Sequence, residues 1–200
     1  MDTEAQHIIG LYERNARNYD RDRSRQLMEQ AWLDRFLALL PARSSILDMG
    51  CGLGEPIARY LVSRGHSVTG LDSSPAMIEI CRARYPAQEW IVSDMRVLAL
   101  GRQFDGLLAW DSLFHLTPDD QRRMFAIFGA HAVARAALMF TSGPSHGVAI
   151  GAYQGEPLYH ASLDPQEYRT LLAGIGFAMV ENVSEDTSCG NHTIWLAQRA

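Results

Sequence analysis

Ile46-Leu47-Asp48-Met49-Gly50-Cys51-Gly52-Leu53-Gly54-Glu55-Pro56 decides how this chain is read. Its apolar start predicts a strand, its alternating glycines a tight turn, and Pro56 suits the first position of a helix, where a missing N–H costs nothing. Glycine has no Cβ and tolerates φ > 0, so the backbone at Gly50, Gly52 and Gly54 can turn sharply and let a ligand lie directly against it. The next apolar run leads to Asp72, 22 positions after Gly50. An acid about 20 residues on, at the tip of a second strand, is placed to accept hydrogen bonds from ribose hydroxyls. Capping the next helix is the other use of such a carboxylate.

These residues resemble the class I S-adenosylmethionine-dependent methyltransferases, whose first motif is an apolar strand followed by Asp-x-Gly-x-Gly-x-Gly and whose second ends in an acid. A nicotinamide dehydrogenase is the rival. Its Gly-x-Gly-x-x-Gly spacing, counted from Gly50 and Gly52, needs glycine at 55, where this chain has Glu. A dinucleotide pyrophosphate binds at the helix N-terminus, and Glu55 would compete for those N–H groups and repel the phosphates. S-adenosyl-L-methionine has no phosphate and carries a positive sulfonium, which an acid tolerates.

The 200 residues suit one domain with a substantial core: a helical cap over 1–43 on a cofactor-binding core over 44–200. With 18 Lys+Arg against 23 Asp+Glu the formal charge is −5, which argues against a broad nucleic-acid footprint. Arg14, Arg17, Arg21, Arg23 and Arg25 cluster, but Asp20 and Asp22 interleave, so a solvated helix face is expected. Cys51, Cys81 and Cys189 have neither disulfide-framework nor zinc-ligand spacing. A reducing cytoplasm fits them, as does the lack of a signal peptide or an apolar run near the ~18 residues of a membrane span.

Strand and helix patterns alternate, the signature of an α/β parallel sheet with helices on both faces. Helical spacing covers about 4–17 and 25–40. Strands are expected at 46–49, 67–71, 90–93, 104–110 and 136–141, with helices at 56–64, 75–85, about 117–132 and 164–175. Strands at 177–185 and 193–197 close the chain. Residues 142–155 show no clear periodicity and read as a loop at the site. The resemblance implies a three-layer Rossmann-like arrangement: a seven-strand, mostly parallel sheet whose last strand is antiparallel.

Ligands bind such sheets at the carboxyl ends of the strands. By the resemblance, Gly50, Gly52 and Gly54 lie against the cofactor, Asp48 anchors the loop or reaches the cofactor amine, and Asp72 with Ser73 holds the ribose. Asp94 accepts the adenine amino group or belongs to a solvated turn, and Met95 covers the ring. Tyr12 and Tyr19, on an N-terminal helix lying over the cofactor, touch its carboxylate end or pack against the sheet.

After the fourth strand come Asp111-Ser112-Leu113-Phe114-His115, where the resemblance projects the reactive methyl. The Asn/Asp-Pro-Pro-aromatic sequence of enzymes acting on base or amide nitrogen is missing, which lowers those targets in favour of a small-molecule acceptor. His115 is a candidate to take a proton from a hydroxyl or amine, or a buried histidine bonded to backbone. Asp111 orients substrate or balances the sulfonium, or caps the loop. His146, Tyr159 and His160 are the substrate candidates, with His192 weaker, and no metal site is expected. The implied reaction is in-line methyl transfer, served mainly by positioning. A non-catalytic cofactor-binding module is the alternative.

Overall fold

A computed structural model describes residues 2–200, with side chains from residue 4 onward. Met1, where the expected cap over 1–43 begins, lies outside the described residues. The central sheet is built from β1 (Ser45–Met49), β2 (Ser67–Asp72), β3 (Glu89–Val92), β4 (Phe104–Ala109), β5 (Ala132–Ser142), β8 (Phe177–Asp186) and β9 (His192–Arg199). These seven strands stand in the order β3-β2-β1-β4-β5-β9-β8. Neighbours are parallel except around β9, which runs antiparallel to β5 and to β8. The expected sheet, with only its last strand reversed, is the one observed.

Side chains alternate across the sheet into two cores, as a strand's two-residue period requires. Leu107 and Leu138 join Phe125, Phe128 and Tyr168 from α5 (Pro118–His131) and α6 (Pro165–Gly174). Leu108 and Met139 join Phe36, Leu61 and Ile78 from α2 (Gln30–Ala38), α3 (Ile57–Ser63) and α4 (Pro75–Arg84). Phe36 packs so closely on β4 that a Cβ added to Gly106 would lie 2.7 Å from its ring. Truncating a buried phenylalanine of this kind to alanine costs about 3–5 kcal/mol.

Helix starts follow local chemistry. Ser74 Oγ accepts the Met77 N–H at 3.2 Å, Thr117 Oγ1 that of Asp120 at 3.2 Å, and Asp164 Oδ1 that of Gln166 at 2.8 Å. A proline opens each of these helices, where its fixed φ fits.

Several boundaries depart from expectation. Pro56 is the N-cap of α3, which begins at Ile57. The first helix, α1, runs over Asp2–Asp22; Asp20 holds its last turn by pairing with Arg84 and Arg25, both at 2.5 Å. The second starts only at Gln30, because residues 23–29 form a turn closed by Arg23 and Glu29, 2.9 Å apart.

The expected loop over 142–155 is largely strand. β6 (Gly147–Tyr153) pairs antiparallel with β7 (Glu156–Ser162) around Gln154 and Gly155. Both turn residues have positive φ, 52° and 80°, the conformation two-residue hairpins favour. From Gly147 to Ala152 the strand is exposed, so no inward-facing apolar alternation marks it. Against the inner strand, β7, α1 packs Ile8 and Leu11 onto Tyr159 and Ala161. Its other flank reaches α4, where Glu13 accepts from the Ser74 hydroxyl and, at 3.0 Å, from the Ala76 N–H.

Candidate functional site

Beneath α1, the carboxyl ends of β1, β2 and β4 border an open cavity of about 840 Å³, its solvent-facing mouth included. Gly50 and Gly52 line it with φ of 77° and 53°. A Cβ at Gly50 would fall 2.3 Å from that of Ser112, whereas at Gly52 the nearest atom is a Tyr19 ring carbon at 3.8 Å. Space therefore demands the first glycine and backbone conformation the second. Gly54 lines neither this cavity nor the lobe that adjoins it; its Cα faces Trp90, 3.1 Å from the position of a Cβ. Its φ of 71° and the Trp90 ring both call for glycine there.

Asp72 and Ser73 line the same cavity. The Asp72 carboxylate accepts the Gly52 N–H at 3.0 Å and the Ser74 N–H at 2.9 Å, so it ties the glycine turn to the start of α4. Burial raises its pKa, against the lowering effect of those N–H bonds. Asp94 and Met95 are also on the wall. Asp94 is gripped by the Arg96 guanidinium at 2.5–3.0 Å and accepts the Arg96 N–H at 2.9 Å, so its turn is a cap and ion pair with a face on the cavity.

A second lobe of about 410 Å³ shares Tyr19, Gly50, Gly52 and Asp111 with the first and adds Asp48, Arg23, Glu55 and Trp110. Asp48 is 3% exposed, and burial, with Asp72 nearby, pushes its carboxyl up to about 7. The buried Trp110 Nε1–H has no partner among the described residues. Arg23, expected on a solvated face, is instead drawn inward: its side chain is 17% exposed, 2.9 Å from Glu29 and 3.9 Å from Asp111.

This donor set fits S-adenosyl-L-methionine. A buried carboxylate and a guanidinium face one small lobe, as an α-ammonium and an α-carboxylate need, while Asp72 stands in the larger cavity where a ribose diol would meet it. Arg23 is the residue that sequence reasoning missed. Its interleaved acids signalled a surface, and its true partners, Glu29 and Asp111, meet it only after folding.

Asp111 follows β4 with φ of 49°. His192 Nε2 lies 2.9 Å from its Oδ1, and its N–H donates to Thr141 Oγ1 at 2.9 Å. His115 lines the cavity yet is 8% exposed. Its Nδ1 is 2.9 Å from the Tyr159 carbonyl oxygen and its Nε2 2.9 Å from the Tyr12 hydroxyl. A carbonyl only accepts, so Nδ1 carries the proton and Nε2 accepts from Tyr12. Burial pushes this imidazole down to about 4 and keeps it neutral. It joins α1 to the hairpin. Tyr12 and Tyr19 both line the cavity, with ring centroids 5.6 Å apart. The Tyr159 ring is buried among Ile8 and Leu11, outside the cavity, and His146 and His160 line a separate cleft.

Residues 46–132 match the methyltransferase domain family. The chain is 35% identical over 111 residues to malonyl-[acyl-carrier protein] O-methyltransferase of Salmonella typhimurium, a match covering 54% of this chain and 42% of that protein. It is 35% identical over 104 residues to magnesium-protoporphyrin O-methyltransferase of Rhodobacter capsulatus, covering 50% and 45%. The matches thus span less than half the length of these relatives. Among solved structures, the SAM-bound amino pentose methyltransferase of Micromonospora echinaspora superposes with TM-score 0.71 at 20% identity, covering 95% of this chain and 97% of that one. The SAM-bound magnesium protoporphyrin IX methyltransferase of Synechocystis gives 0.73 at 17%, covering 98% and 97%. Residues 46–132 thus carry the sequence match to the methyltransferase domain family, within a sheet of the order β3-β2-β1-β4-β5-β9-β8.

Proposed function

We propose that this protein is an enzyme that transfers a methyl group from S-adenosyl-L-methionine to a small-molecule acceptor. One observation carries the reading: the buried Asp48, without a hydrogen-bond partner among the described residues, and the inward-facing Arg23 share a lobe that has Tyr19, Gly50, Gly52 and Asp111 in common with the cavity that holds Asp72. Such a pair suits an amino-acid zwitterion beside a nucleoside, and the Glu55 carboxylate on the same lobe opposes a dinucleotide's phosphates. When bound, the cofactor supplies an electrophilic methyl on a sulfonium.

In this reading, Asp48 and Arg23 hold the amino-acid end, Gly50 and Gly52 let it approach, and Asp72 and Ser73 hold the ribose. Asp94 and Met95 border the adenine. Tyr12 and Tyr19 close the cavity from α1 and exclude water. Asp111, held by His192, lines the wall shared by the two lobes and orients the substrate there, and His115 fixes Tyr12 and therefore the lid. Positioning contributes most of the acceleration, up to ~7–11 kcal/mol in well-oriented systems.

The cap over 1–43 and the core over 44–200 act as one unit, since α1 forms part of the cavity wall. Among the described residues no helix is long and apolar enough to cross a membrane, and a cytoplasmic location is proposed. Relatives named for malonyl-[acyl-carrier protein], magnesium protoporphyrin and an amino pentose support a small or carrier-borne acceptor over nucleic acid. The test is incubation with methyl-labelled S-adenosylmethionine and a fractionated cell extract. Label in the low-mass or carrier-bound fraction supports the reading, and label confined to nucleic acid, or none, contradicts it.

A further inference from the structure

The hairpin of β6 and β7 has two outer edges, and the chain treats them differently. On β7 the Tyr159 carbonyl accepts from His115 Nδ1–H at 2.9 Å and the Ala161 carbonyl from Gln121 Nε2 at 2.8 Å, while Pro157 has no N–H to offer. That edge is closed. On β6, among the described residues, no strand and no side chain bonds to the outward backbone of Gly147–Ala152.

The open edge is also unguarded by charge. The edge strands of the central sheet carry Glu89 on β3 and Glu181 and Glu185 on β8, and charges of this kind discourage a further strand from pairing. Between Arg135 and Glu156 the chain has no Asp, Glu, Lys or Arg at all. β6 is exposed from Gly147 to Ala152, with Val148 and Ile150 keeping 43% and 52% of their surface in water. A bare, uncharged, apolar edge is a template for another strand.

We propose that β6 pairs antiparallel with β6 of a second copy of this chain, about a twofold axis at Ile150, joining the two hairpins into one four-stranded sheet. The register follows from β7. Because the Tyr159 and Ala161 carbonyls point away from β6, the residues opposite them, Ile150 and Val148, point their own N–H and C=O groups away from β7. Ala152, two residues on, does the same. An axis at Ile150 sets that residue opposite its own counterpart and Val148 opposite Ala152 of the second copy, and each such pair exchanges two N–H···O bonds. No charge meets a like charge, and Val148, Ile150 and Ala152 lie on one face, where their side chains touch across the axis. A twofold pairing uses each open edge once, so assembly stops at the dimer. A seven-residue edge buries less than the ~1,200 Å² of a standard interface, so the dimer is reversible. None of β6 lines the cofactor cavity, and the inference stands apart from the methyl-transfer reading.

The test is sedimentation of the full chain across a range of protein concentrations, with amide hydrogen exchange measured over the same range. The mass is expected to rise from one chain to two, and the Val148, Ile150 and Ala152 amides to become protected as it does. Ile150→Lys sets two like charges directly opposite each other and should raise the dimer dissociation constant about ten-fold or more. Ile150→Glu should do the same by itself. Mixing the two variants should restore a dimer, because the axis then pairs a cation with an anion. Since half of Ile150 already stands in water, the circular dichroism of either variant should match that of the parent. A parent that stays monomeric, species larger than two chains, a dimer that survives Ile150→Lys, or a mixture of the variants that stays monomeric would overturn the inference. So would protection of the three parent amides that does not change with concentration.

Discussion

His192 holds Asp111 from one side: its Nε2 is 2.9 Å from Asp111 Oδ1, and its Nδ1 is 2.6 Å from the Cys189 carbonyl oxygen. Both nitrogens face groups that accept, so folding favours the doubly protonated ring, an imidazolium paired with the carboxylate. The hydrogen bond that His192 donates to Asp111 raises the pKa of His192 against the effect of burial. A histidine whose pKa folding raises stabilises the native state fully below the unfolded value of ~6.5, and that contribution is lost as pH rises through the folded value. Urea unfolding from pH 5.5 to 9 should therefore show a fall in stability that is shallower in His192→Gln. Parallel profiles for the two proteins would mean the ring is neutral in both states.

His115 predicts the opposite slope. Its native pKa is pushed down to about 4, so between pH 6.5 and 4 the unfolded chain binds a proton that the folded one refuses. Stability should decrease as pH falls across that window, by about 3 kcal/mol in all. His115→Phe should flatten this limb, and Tyr12→Phe should weaken the hold of α1 while leaving the slope in place.

Arg23 should separate the two ends of the cofactor. Arg23→Met should weaken S-adenosylhomocysteine binding at least ten-fold and leave 5′-methylthioadenosine, which has no carboxylate, nearly unchanged. Because Glu29 is 1% exposed, the single variant also strands a buried charge, at a cost of about 3–5 kcal/mol. The Arg23→Met/Glu29→Gln double variant should recover stability without recovering S-adenosylhomocysteine affinity. Equal losses for both ligands would place the guanidinium elsewhere.

Gly50→Ala and Gly65→Ala make a matched comparison. Both positions have positive φ, 77° and 88°. The new Cβ at 50 meets Ser112 at 2.3 Å, while nothing lies within 4 Å at 65. Gly65→Ala should cost about 1 kcal/mol from backbone strain alone, and Gly50→Ala appreciably more, with loss of cofactor binding. Similar melting temperatures for the two would remove the close approach of Ser112 from the account.

The parts of this protein that were legible from its sequence are those whose chemistry is local. The glycine turn, Asp72 at a strand tip, and the Ser74-Pro75, Thr117-Pro118 and Asp164-Pro165 helix starts each declare themselves within a few residues. The hairpin over β6 and β7 did not, because its outer strand is exposed and carries no alternation. Its one signal was Gln154-Gly155 between two apolar runs. Arg23 was hidden for a related reason: an arginine among alternating charges reads as surface until the turn over 23–29 folds Glu29 back onto it and Asp111 arrives from another part of the chain. Gly54 belongs to the same class, since Trp90, which it accommodates, is 36 positions away.

The central claim is that the cavity under α1 is built for S-adenosylmethionine and not for a dinucleotide. Calorimetric titration of the purified protein with S-adenosylhomocysteine, against NAD in a matched experiment, tests it without knowledge of the acceptor. The account predicts micromolar binding of S-adenosylhomocysteine and no heat from NAD; binding of NAD, or of neither, would contradict it.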